Sequence, residues 1–73
     1  MNGPIKPETF HVMQSVEGDD VAIAHRQTFE AAEAALIEAS KHCRATDLSI
    51  WSSRGLWFAF VDRRTSRIVK VRQ

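Results

Sequence analysis

The sequence predicts an α+β fold: a single layer of antiparallel sheet, four to five strands in the order β-β-α-β-β-β, with one α-helix on one face. Three observations carry that expectation. Period-two alternation of apolar and polar residues appears near both ends of the chain. One alanine-rich stretch free of Gly and Pro lies between them. Short Gly- or Asp-bearing breaks separate the alternating runs at hairpin spacing.

Residues 1–8 include Gly3, Pro4 and Pro7 and read as a flexible arm ahead of a small domain over 9–73. "TFHVMQSV" (9–16) alternates, with Phe10, Val12, Gln14 and Val16 on one side and His11, Met13 and Ser15 on the other. "EGDD" supplies a hairpin turn, and "VAIAH" (21–25) returns as a second, short strand.

Thr28 is placed to cap a helix, because its hydroxyl can accept from a first-turn amide that has no intrahelical partner. The helix is expected over 29–43. Phe29, Ala32, Leu36, Ala39 and Cys43 fall on one stripe at spacings of three and four, while Glu30, Glu33 and Glu38 lie off it. Glu30 suits the positive end of the helix dipole, and Lys41, His42 and Arg44 the negative end.

Three strands are expected to close the chain: "DLSIWSS" (47–53), "LWFAFVD" (56–62) and "RIVKVR" (67–72), joined by turns at "RG" and "RRTS". Strict alternation in the middle one sends Leu56, Phe58 and Phe60 towards the helix with Leu48 and Ile50. It sends Trp57, Ala59 and Val61 the other way. One helix covers one face, so the other should present Trp51, Trp57, His11 and Met13, rimmed by Arg54, Lys70 and Arg72. Tryptophans paired across strands also stabilise a sheet without any partner.

Composition narrows the function classes. Seventy-three residues, 44% apolar and 26% charged, suit one small globular domain. "GLWFAFV" is too short to span a bilayer, and "MNGPIKPETF" lacks the apolar core of a signal peptide, so a cytoplasmic protein without membrane contact is expected. A lone cysteine forms no internal disulfide, and the three histidines show no zinc-ligand spacing. No nucleophile–base order, phosphate cradle or carboxylate pair stands out, so no catalysis, cofactor or metal is expected.

The near-neutral total conceals an asymmetry. Residues 1–40 carry two basic and seven acidic side chains, and residues 41–73 carry eight basic and two acidic ones. Such polarity can steer a charged partner, and it can equally serve solubility.

"RGLWFAFVDRR" approaches the strand signature of RNA-recognition motifs, basic–Gly–aromatic–Gly/Ala–aromatic–Val. Two extra residues split the pattern, and eleven residues after Asp62 leave no room for that fold's second helix and fourth strand. Aromatic rings on an open sheet with arginines around them could still stack bases and hold phosphates.

A short hairpin, the helix "TFEAAEAALIEA" and the closing hairpin "DLSIWSSRGLWFAFVD" resemble the layout of very small phage and mobile-element proteins, among them anti-CRISPR inhibitors of multi-subunit surveillance complexes. The resemblance runs from Phe10 to Val71 and is one of pattern and size. It implies a mechanism without chemistry: occupying a protein or nucleoprotein surface and blocking it. The expected contact residues are Trp51, Trp57, Arg54, Arg63, Arg64, Arg67, Lys70 and Arg72. A nucleic-acid-binding module using the basic half, and a homodimer packed through its open faces, stand beside it.

Overall fold

The computed structural model describes residues 7–42, 47–62 and 64–71. Its elements are β1 (Phe10–Val16), β2 (Asp19–Arg26), α1 (Phe29–His42), β3 (Leu48–Ser52), β4 (Trp57–Asp62) and β5 (Arg67–Lys70). The five strands form one antiparallel sheet in the order β2-β1-β3-β4-β5. β2 and β3 flank β1 and therefore run parallel to each other. A connection between parallel strands must cross a face of the sheet, and α1 is that crossover.

Local chemistry explains each turn. Glu17 and Gly18 both take positive φ, 53° and 89°, giving the two-residue turn whose twist matches a hairpin. Between β3 and β4, the Gly55 amide donates to the Ser52 carbonyl at 2.9 Å and Gly55 takes φ 80°, the left-handed position that closes a three-residue loop. After β4, Asp62 Oδ1 accepts from the Arg64 amide at 2.9 Å, and Ser66 N donates to the Asp62 carbonyl at 2.7 Å. Asp is favoured at such a turn because its side chain bonds a peptide group two residues on.

The helix starts where expected: Thr28 Oγ1 accepts from the Ala31 amide at 3.1 Å. Ala32 and Leu36 are fully buried, with Phe29, Ala35 and Ala39 packed beside them. Their partners are Phe10, Val12, Leu48, Ile50 and Ala59 on the sheet. Phe10, Phe29 and Phe58 close one end of this core, with ring centroids 5.1–6.0 Å apart. The small alanines bring the helix backbone close to β1 and β3, so few large side chains suffice to exclude water.

Strand ends differ by a residue or two from the sequence expectation, and β2 and β4 differ most. β2 extends to Asp19–Arg26 rather than 21–25, because the tight turn starts the ladder at once from the pair Val16–Asp19. The alternation assigned to β4 does not hold. Ile50 pairs with Ala59 but Trp51 pairs with Trp57, so Phe58 is an extra residue in a β-bulge. The bulge resets the phase. Phe58, Ala59 and Val61 pack into the core, and Phe60 lies on the opposite face with Trp57. Leu56 sits in the turn, 37% exposed, and is not a core residue. Cys43 and Arg44, expected at the helix end, lie outside the described residues.

Candidate binding face

Strand pairing lays out the helix-free face in two rows. One runs Ala22–Met13–Ser49–Phe60–Val69 and the next His25–His11–Trp51–Trp57. On β3 and β4 the rows merge into an aromatic stack. Trp51 and Trp57 lie 6.1 Å apart between centroids at 20° between planes, and Trp57 and Phe60 5.3 Å apart at 28°. Trp51 Nε1 donates to Ser49 Oγ at 3.1 Å, satisfying the indole N–H within the face.

On the β1–β2 side of Trp51 the face sinks into an open groove of about 490 Å³, lined by His11, Met13, Asp20, Ala22, His25 and Trp51. Ala22 creates the hollow by presenting only a methyl group between larger neighbours. His11 and His25 are cross-strand partners with rings 4.2 Å apart, edge to face. Among the described residues, no three of His, Cys, Asp and Glu come together in a way that could hold a metal ion.

The arrangement answers the sequence expectation residue by residue. Trp51, Trp57, His11 and Met13 share the open face, as alternation in β1 and β3 required. Phe60 belongs with them, and sequence alternation missed it because no glycine or proline marks the bulge. The groove's Asp20, Ala22 and His25 were missed as well. A second bulge, at Ile23, places both Asp20 and His25 on this face despite their odd sequence separation.

The basic residues do not form one rim. Arg54 caps the β3–β4 turn beside the Trp pair, exposed at the end of the sheet where β1 begins. Arg64 and Arg67 lie in or beside the β4–β5 turn at the other end of the sheet. That turn shares its end of the sheet with the acidic β1–β2 turn of Glu17, Asp19 and Asp20, at the opposite corner. Arg64 Nε stands 4.0 Å from Asp62 Oδ1.

Lys70 corrects the expected rim. It pairs with Ala59 in the ladder and reaches to the helix side, with Nζ 3.7 Å from Glu33 Oε2 and 5.7 Å from the centre of the Phe29 ring. The bulge is the reason, since it turns Ala59 and its neighbour on β5 under α1. Arg63 and Arg72 lie outside the described residues.

No helix among the described residues is long and apolar enough to cross a membrane. Compared with protein-family models, curated proteins and solved structures, the chain matches none.

Proposed function

We propose that this is a small non-catalytic binding protein that blocks a host protein or nucleoprotein complex by occupying its surface, in the manner of phage-type anti-CRISPR inhibitors. The observation carrying this reading is the Trp51–Trp57–Phe60 stack on the face that α1 leaves bare, continuous with the His11–Met13–Trp51 groove. Aromatic anchors already held against one another lose little side-chain entropy on binding, which suits a protein that contributes contact area and no chemistry.

A nucleic-acid module is the second reading, favoured by the exposed Arg54 and Arg67 near the two ends of the aromatic stack. The stack itself weighs against it. The rings turn their faces to each other, which leaves few faces for bases to stack upon.

An interference assay tests the proposal. Bacteria carrying a multi-subunit surveillance complex and a targeting guide are challenged with phage while expressing wild-type protein, Trp51→Ala/Trp57→Ala, or Glu30→Ala on the exposed helix surface. Wild type and Glu30→Ala should restore plaques, and the Trp variant should lose at least about tenfold of that effect, as expected for truncated anchor residues. Full interference with wild-type protein across the complex types tried would rule out the inhibitor reading. Labelled single-stranded RNA and DNA at two salt concentrations decide the alternative, because binding through phosphates weakens steeply with salt.

A further inference from the structure

Among the described residues the sheet has two free edges, β2 and β5, and they are built differently. β5, the four residues Arg67–Lys70, carries a cation at each end. A four-residue edge is short, and cations at its ends discourage the approach of another strand. β2 is eight residues long, DDVAIAHR, and every residue except Ala24 is exposed. Its acids stand at one end, Asp19 and Asp20, and its basic groups at the other, His25 and Arg26.

From this contrast we infer that β2 pairs antiparallel with β2 of a second copy, joining two sheets into one of ten strands about a two-fold axis. The register follows from three independent features. Charge sets Asp19 opposite Arg26 of the second copy, and the same register brings the Asp20 carboxylate opposite the His25 imidazole, each pair occurring twice by symmetry.

Facing agrees with charge. Asp19, Val21, Ala24 and Arg26 pair with Val16, Gln14, Val12 and Phe10 and so belong to the helix side; Asp20, Ala22 and His25 belong to the open side. The register keeps helix-side residues opposite helix-side residues and open-side opposite open-side at these positions. A one-residue slip in either direction breaks that match. Only because Ile23 is bulged can Asp20 and His25, five residues apart, face the same way.

Backbone geometry agrees with one exchange: the His25 carbonyl accepts from Arg26 Nη1 at 2.7 Å, and pairing replaces that bond with a ladder bond as Arg26 turns to Asp19 of the second copy. The two-residue turn makes Val16 and Asp19 a hydrogen-bonded pair, and alternation along the ladder then directs the peptide groups of Asp20 outward, ready for a new strand. Val21 and Ile23, 46% and 40% exposed, supply the apolar contact near the dyad. The pairing also sets the groove of one copy beside that of the other, with Asp20 of each next to His25 of its mate.

This pairing uses an edge of the sheet; it meets the binding face only at Asp20 and His25 and does not rest on the proposed function. Its test is a charge-swap cycle read by sedimentation equilibrium, with circular dichroism confirming that each variant is folded. Wild type should sediment at twice 8.3 kDa. Asp19→Arg and Arg26→Asp each set like charges opposite one another at two places and should raise the dissociation constant at least about tenfold. The double variant restores opposite charges and should recover the wild-type constant. If one single variant fails to fold, the other and the double variant still complete the comparison. Trp51→Ala/Trp57→Ala should remain dimeric. A mass of 8.3 kDa at millimolar concentration overturns the inference, as does a dimer indifferent to both charge reversals or one dissolved by the Trp variant.

Discussion

The two faces of the sheet are made from the same strands by opposite means. Under the middle of α1, burial is achieved with small and aliphatic groups: Val12, Ile50 and Ala59 stand in one row, each fully buried against Ala32 and Leu36, while Phe10, Phe29 and Phe58 close one end. On the bare face the large rings of Trp51, Trp57 and Phe60 shield one another and remain partly exposed. The covered face holds a close-packed interior beneath the helix. The bare face is a rigid surface whose apolar area is organised without being removed from water. The difference teaches where to look for each kind of consequence: mutations under the helix act on folding, and mutations on the rings act on recognition.

Neighbouring positions in β4 break that comparison most sharply. Ala59→Arg forces a charged side chain into a site with no exposure and should cost more than about 4 kcal/mol, enough to abolish the folded signal in circular dichroism. Phe60→Arg, one residue along, should lose about 1 kcal/mol of ring stacking in urea titration and stay folded. Strict alternation through the strand would reverse that ranking, so the pair of variants is a direct probe of the bulge at Phe58.

Ser52 sharpens the comparison from the covered side. It is 3% exposed, and its hydroxyl accepts from the amides of Arg54 and Leu56 at 3.1 and 3.3 Å. Ser52→Ala strips both amides of that acceptor and should cost about 1–2 kcal/mol in urea titration, an unusually large penalty for removing one oxygen atom. The smallest effect belongs to Lys70. Its ion pair with Glu33 is half exposed, so Lys70→Met should change stability by less than about 0.5 kcal/mol and leave partner binding unchanged, because the side chain lies on the helix side. A strong loss of binding in Lys70→Met would return that residue to the recognition surface.

Much of this was legible in the amino-acid order. The element sequence, the Thr28 cap, the helix stripe and all three hairpin turns follow from local rules that need only a few neighbouring residues. The outward placement of Trp51 follows from the regular alternation of β3. What local rules could not supply was the phase of β4. "WFAF" contains no residue whose backbone preference announces a bulge, and each of its side chains tolerates either face. Tertiary packing made the choice: Ala59 fits beneath a close helix, whereas Phe60 in its place would hold the helix away. Lys70 was misassigned for the same reason, one strand further on. The groove was hidden because it joins Trp51 to Asp20, Ala22 and His25 across a bulged strand, a neighbourhood visible only in three dimensions.

The two bulges, at Ile23 and Phe58, have a further effect on how the chain finds its native pairing. A plain hairpin can slide by two residues and still present a sensible pattern of side chains. A strand whose pattern changes phase midway cannot, because any slide would carry the irregularity opposite the wrong partner and expose half the apolar set. The β1–β2 and β3–β4 hairpins thus each carry an indexing mark, one on either side of the regular β1–β3 pair. In a domain of seventy-three residues with so few buried side chains, that irregularity penalises slipped ladders that the size of the core alone would scarcely distinguish.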